Sequence, residues 1–266
     1  MTTSILALLM FAATDPITDE ALRLEALRAV FPGMPVVAVA GKRIKVPKVN
    51  RETDPDALAG EQIYRVTGQP QDKTEQCAAE SVIDLRLAST HEVAIRVYAW
   101  PRSSTEFVAI LQYAFPGSRS AMSCLSIGML AHLSRRHDKL APTEQLVMDT
   151  THHYAITGVQ LVDLTGDGIE ELVVESNNGG GGAHFSEMHI VDLSRGRIKE
   201  VLVENSRVRT WHDDPEEYTL TLDVARSRQR KGTNVCFVKT AFMENGQKFT
   251  RPRVSNVCIP TRDNLK

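Results

Sequence analysis

The chain has 266 residues, 42% of them hydrophobic, with 31 basic and 33 acidic side chains for a formal net charge of −2. That length suits one large or two small domains with enough surface to bury a sizeable core. The near-neutral balance argues against a general nucleic-acid binder, which needs a strongly basic surface, and favours small partners or proteins.

The apolar run Ile5 to Ala13 is too short to span a bilayer and is followed at once by Thr14-Asp15-Pro16. It reads as the core of a signal peptide, residues 1–13, although no Lys or Arg precedes it. No other run approaches transmembrane length, so an integral membrane protein is not expected. Thr18 is then a suitable helix N-cap, with Asp19 and Glu20 placing negative charge in the first turn. Leu24, Leu27, Val30 and Phe31 recur at spacings of three and four and give one apolar stripe, ended by Gly33 and Pro35. Met34 to Ala40 follows as a strand. Lys42, Arg43, Lys45, Lys48 and Arg51 then make a basic, proline-interrupted connector without aromatic residues, which reads as a solvated linker. Helix and linker together occupy residues 15–57.

Residues 58–262 read as a β-rich domain. Short β-type runs at Gln62–Thr67, Val82–Leu87, Val93–Trp100 and Phe107–Phe115 are separated by Gly, Pro, Ser or Asn. In the third run, Val93, Ile95, Val97 and Ala99 alternate with Ala94, Arg96, Tyr98 and Trp100, which predicts one core face and one partly exposed face. Cys124–Leu133 is assigned as strand, Arg135–Lys139 as a charged turn, and Gln145–Asp149 as the start of another strand. Beyond Gly158 the candidate strands are Gly158–Val162, Glu171–Ser176, Phe185–Leu193, Ile198–Glu204, Val208–Trp211, Tyr218–Val224, Asn234–Phe242 and Lys248–Ile259. Short strands with tight connections predict a mainly β fold of antiparallel meanders with one N-terminal helix; a β-sandwich is the alternative architecture.

Between two of these strands lies Val-Asp-Leu-Thr-Gly-Asp-Gly-Ile-Glu-Glu-Leu, residues 162–172. Asp163, Thr165, Asp167 and Glu171 place side-chain oxygens at loop positions one, three, five and nine, and Ile169 can add a backbone carbonyl at seven. Hard oxygen donors crowded in this way suit Ca²⁺, which removes the repulsion among converging carboxylates. Gly166 and Gly168 permit the positive φ values of a tight curl. An EF-hand would need a bidentate Glu at position twelve and flanking helices; position twelve is Val174 and both flanks are strand-like. These residues resemble the FG-GAP or VCBS calcium loop of integrin-alpha-like β-propellers, D-x-[DNT]-G-D-G-x-x-[DE]-[LI]. The resemblance covers about a tenth of the chain in a single copy, whereas a propeller is built from several repeats. It implies that Val159 to Glu204 forms a four-stranded, blade-like unit.

Other motifs carry less. The four cysteines, Cys77, Cys124, Cys236 and Cys258, lack C-x-x-C spacing and fit disulfides in an oxidising compartment. Sequence proximity favours Cys77 with Cys124 and Cys236 with Cys258. For the second pair, a two-residue Asn245-Gly246 turn would set Cys236 opposite Ser255, so an irregularity is required, and Pro252 marks a place for it. Asn177 to Gly182 reads as a glycine-rich surface loop without the Lys and Ser/Thr of a phosphate loop. His152, His153, His184 and His189 are paired at odd separations that direct them to opposite strand faces, against a shared transition metal. Asp213–Glu217 reads as a solvated acidic turn, and Arg226, Arg228, Arg230 and Lys231 as a basic hairpin tip. G-x-S-x-G, H-E-x-x-H and S-x-x-K are all absent from the sequence. The expectation is therefore an exported protein, periplasmic or secreted, with a structural Ca²⁺ loop and no catalytic residues, serving as a protein- or carbohydrate-binding module. A secreted hydrolase with an unrecognised site is the alternative.

Overall fold

The structure, a computed structural model, describes residues 16–43, 62–67, 90–114, 126–148, 155–180, 183–210 and 216–262. The apolar start, the strand Val82–Leu87, Cys77, Cys124, His152, His153 and most of the Asp213 acidic run lie outside them.

Helix α1 spans Glu20–Val30 and is capped by Asp19, whose carboxylate accepts from the Ala21 amide at 2.9 Å, one residue later than the expected Thr18. Leu22, Ala26, Leu27 and Val30 form its buried face, and Gly33 at φ 77° turns the chain away. Two antiparallel meanders follow, each with its strands hydrogen-bonded in chain order. The first is six-stranded: β1 Val36–Arg43, β2 Gln62–Thr67, β3 Thr90–Ala99, β4 Glu106–Ala114, β5 Ser126–Arg136 and β6 Lys139–Val147. The second is seven-stranded: β7 Ala155–Val162, β8 Glu171–Gly180, β9 Ala183–Asp192, β10 Lys199–Thr210, β11 Glu217–Leu222, β12 Asn234–Glu244 and β13 Gln247–Pro260. One of the two sheets curls into a half-barrel, and helix α2, Val224–Gln229, connects β11 to β12. The mainly β, meandering fold with an N-terminal helix is thus as expected. The blade-like unit is not separate, because the ladder runs on from β10 through β11, β12 and β13 without a break.

Side-chain parity divides the core. On one face of the first sheet, Val93, Ile95, Val97, Ala109, Leu111, Ala131 and Leu133 bury against Leu27 and Val30 of α1. Glu25 fastens the helix further, pairing with Arg135 at 2.9 Å and accepting from the Leu140 amide at 2.8 Å. The opposite face carries Tyr98, Trp100, Val108, Ile110 and Leu130, which join Ile156, Leu161, Leu172, Val174 and Val191 of the second sheet in one cluster. The even-numbered side of β3, expected to be partly exposed, is therefore largely buried, with Ala94, Tyr98 and Trp100 all at 4% exposure or less. The second sheet is what covers it. A third cluster, including Leu164, Val173, Ile190, Leu202, Leu220 and Phe237, is drawn from the second sheet and its β7–β8 loop.

Two turns explain the registers. His137 and Asp138, at φ 50° and 61°, make the two-residue hairpin between β5 and β6, so the charged turn is shorter than Arg135–Lys139 and β6 begins at Lys139. Asn245 and Gly246, at φ 49° and 76°, make the β12–β13 hairpin. Met243 pairs with Lys248 but Ala241 pairs with Arg253, so Phe249, Thr250, Arg251 and Pro252 stand opposite Phe242 alone. That bulge contains Pro252 and shifts Cys236 opposite Cys258, to which it is disulfide-bonded with Cα atoms 4.0 Å apart. Asn177 to Gly180 belong to the β8–β9 ladder, Gly179 opposite His184 and Gly180 opposite Ala183; the expected loop is strand up to the hairpin end. The exchange of backbone hydrogen bonds with β9 outweighs the weak intrinsic strand preference of Asn and Gly.

Candidate functional site

The loop of residues 163–170 connects β7 to β8, closed at its base by the pairing of Val162 with Glu171. Gly166 and Gly168 sit at φ 80° and 78°, which an L side chain adopts only with strain. The curl they permit is knitted by the candidate ligands themselves. Asp163 Oδ1 accepts from the Gly166 amide at 2.6 Å and its Oδ2 from the Gly168 amide at 3.0 Å. The Thr165 hydroxyl donates to Asp163 Oδ1 at 3.4 Å and accepts from the Asp167 amide at 3.3 Å. Asp167 Oδ1 accepts from the Ile169 amide at 2.7 Å, so Ile169 is engaged here through its N–H.

Glu171 differs in environment from the other acids. It is 1% exposed, and its Oε2 accepts from the Leu164 amide at 2.6 Å. Burial, reinforced by the carboxylates of Asp163, Asp167 and Asp192, pushes its pKa up to about 8 in spite of that hydrogen bond. Asp192 was not singled out in the sequence. It is adjacent because Leu172 pairs with Val191, which sets the end of β9 beside the start of β8. One of its oxygens accepts from the Ser194 amide at 2.7 Å.

Two arginines remote in sequence bracket the loop. Arg102, in the β3–β4 turn, donates from Nη2 to the Asp167 carbonyl at 2.9 Å, and its own φ of 59° lies in the left-handed region, at a cost of about 1–2 kcal/mol. Arg228, from α2, donates from Nε to the Asp163 carbonyl at 2.8 Å, with its Nη2 3.7 Å from Asp163 Oδ2. Arg226–Lys231 is therefore no hairpin tip. Its first half is helix, capped by the Asp223 carboxylate on the Arg226 amide at 3.0 Å, and Arg228 is half-buried against the loop. Nothing local in the sequence marks Arg102 or Arg228, because each contact spans 65 residues.

The donor set is all oxygen, three carboxylates and a hydroxyl, which suits a hard divalent cation and no softer metal. Among the described residues, no three His, Cys, Asp or Glu side chains converge as ligands. The carboxylate oxygens instead accept backbone N–H groups, and Asp163 Oδ1 accepts the Thr165 hydroxyl as well. A group of neighbouring acids in which one member is forced towards the neutral form is the electrostatic situation a cation would relieve. The donor types are those that hold a hard cation such as Ca²⁺, the carboxylates do not converge on one point among the described residues, and Arg102 and Arg228 lie beside the same loop.

His184 and His189 both lie in β9, paired with Gly179 and Val174 of β8 respectively. His189 is buried. Burial alone would lower its pKa, but hydrogen bonds and charge from Glu187 and Glu200 raise it to about 9, with Nδ1 2.8 Å from Glu200 Oε1. Its ring lies between two carboxylates, Nδ1 towards Glu200 and Nε2 3.8 Å from Glu187 Oε2. No helix among the described residues is long and apolar enough to cross a membrane. No family model, no curated protein and no solved structure matches this chain.

Proposed function

We propose that this is an exported, non-enzymatic β-rich binding module, periplasmic or secreted, in which Ca²⁺ at the β7–β8 loop is a structural element. Asp163, Thr165, Asp167 and Glu171 would hold the ion through side-chain oxygens and Ile169 through its carbonyl, as in the FG-GAP and VCBS loops that the segment resembles. The observation that carries the reading is Glu171, buried at the first residue of β8 beside three other acids, with its pKa driven to about 8. When bound, the cation supplies compensating positive charge and permits all the acids to ionise together. The Cys236–Cys258 disulfide supports an oxidising compartment.

A ligand that binds only the folded form stabilises it by mass action, about 2.7 kcal/mol at a hundredfold excess over its dissociation constant. Calcium is therefore expected to raise the melting temperature of the wild-type protein and to leave that of Asp167→Ala unchanged. An equal rise in both proteins, or no response of the wild type to calcium and chelator, would overturn the assignment.

A further inference from the structure

We infer that the second sheet carries a binding site for a small, neutral, polyhydroxylated ligand, of the size of a mono- or disaccharide, in a cleft separate from the cation loop. The inference deepens the binding-module reading and rests on it, but does not require the loop to hold metal.

The cleft has a volume of about 430 Å³ and is lined by residues of β7 to β11 and by the first residue of α2. Small-molecule sites in proteins commonly fall between about 300 and 1,000 Å³. Its polar lining is mostly neutral: Gln160, Ser186, Ser206, Thr219 and Thr221. The register explains their convergence, since Arg207 pairs with both Ser186 and Thr219 across neighbouring strands. Amide and hydroxyl groups both donate and accept, and a sugar hydroxyl has the same dual character, whereas a purely anionic ligand needs donors only. Charge points the same way. Glu175 and Arg207 are the two ionisable groups in the lining, opposite in sign, so the lining carries no net formal charge to favour an anion or a cation.

The remaining wall is apolar. Leu220, Leu222 and Val224 line the cleft; Leu220 belongs to the third hydrophobic cluster, and Leu222 and Val224 pack against it. A pyranose presents a C–H face as well as hydroxyls, and an aliphatic patch beside a hydrogen-bonding rim matches both. Val224 begins α2, the helix that sends Arg228 to Asp163, so the cleft and the cation loop share one supporting element.

The test is saturation-transfer-difference NMR on the full chain with maltose, cellobiose and lactose as probes, and with glutamate and inorganic phosphate as charged comparators. Transfer to at least one disaccharide and not to the charged probes is expected. Gln160 and Thr221 are both exposed, so the double variant Gln160→Leu/Thr221→Val leaves the core intact while removing two hydrogen-bonding groups. In it the affinity should fall roughly tenfold or more with an unchanged melting temperature. Asp167→Ala should retain the transfer, which separates this site from the calcium assignment. No transfer to any disaccharide, transfer undiminished in the double variant, preferential transfer to glutamate or phosphate, or transfer lost only in Asp167→Ala would each overturn the cleft.

Discussion

Glu171 concentrates the chemistry of the loop in one side chain. Its folded-state pKa of about 8 lies above the ordinary value of 4.5, so between those limits the folded state retains a proton that the unfolded state has released. Stability contributed by this group is therefore present below about 4.5 and lost as the pH rises through about 8. His189 acts in the same direction at higher pH, its contribution being lost as the pH rises from 6.5 through about 9. In calcium-free buffer the protein should lose stability between pH 5 and pH 8, by an amount on the order of a few kcal/mol for Glu171. Thermal melts of Glu171→Gln should show a shallower decline over that window, with the His189 part remaining. Calcium should reverse the trend in the wild type, raising the melting temperature more at pH 8 than at pH 5, because the ion binds the ionised form. The spacing of Asp163, Thr165, Asp167 and Glu171 was legible in the chain because each lies within one short loop. Asp192, Arg102 and Arg228 were not, since their approach depends on strand register and on the second sheet.

The β12–β13 hairpin shows how an element can be read correctly from local signals when they conflict. The Asn-Gly turn sets one register and the cysteine pair demands another, and the bulge at Phe249 to Pro252 satisfies both. β13 is an edge strand and most of its residues are exposed, so it has little core of its own to retain it. The covalent tie to β12 closes a sequence separation of 22, a constraint worth about 3 kcal/mol in the unfolded chain. The double variant Cys236→Ser/Cys258→Ser should lose about that much stability, and amide exchange should accelerate most along β13. Uniform acceleration across the second sheet would show that β13 is held by other means. Short elements were harder to read. The basic run at Arg226–Lys231 has alternating charges that mimic a strand, and the structure makes it helical because Asp223 supplies an N-cap and Ser227 buries a hydroxyl that bonds both the Asp223 carbonyl and the Cys236 amide, each within 2.9 Å.

At the level of the molecule, the cluster shared by both sheets decides how the protein unfolds. Leu130 and Ile110 of the first sheet are fully buried against Leu172, Val174 and Val191 of the second. Leu130→Ala should cost about 2–5 kcal/mol, the range for emptying a buried leucine site. If the sheets unfold as one unit, Trp100 fluorescence and far-ultraviolet circular dichroism should report the same, lower midpoint. Separate midpoints would show that the two meanders are independent domains.

The sequence by itself determined the β-rich class, the antiparallel connections, the N-terminal helix, the curl of the candidate loop and the cysteine pair of the last hairpin. These follow from periodicity, turn residues and spacing, all of which act over a few residues to a few tens. Tertiary structure alone decided that β3 is buried on both faces, that the strands expected to form a blade continue into a seven-stranded sheet, and that two distant arginines and a fourth acid surround the loop. The reason is that burial and electrostatic environment depend on which surfaces meet, and no local pattern encodes that meeting.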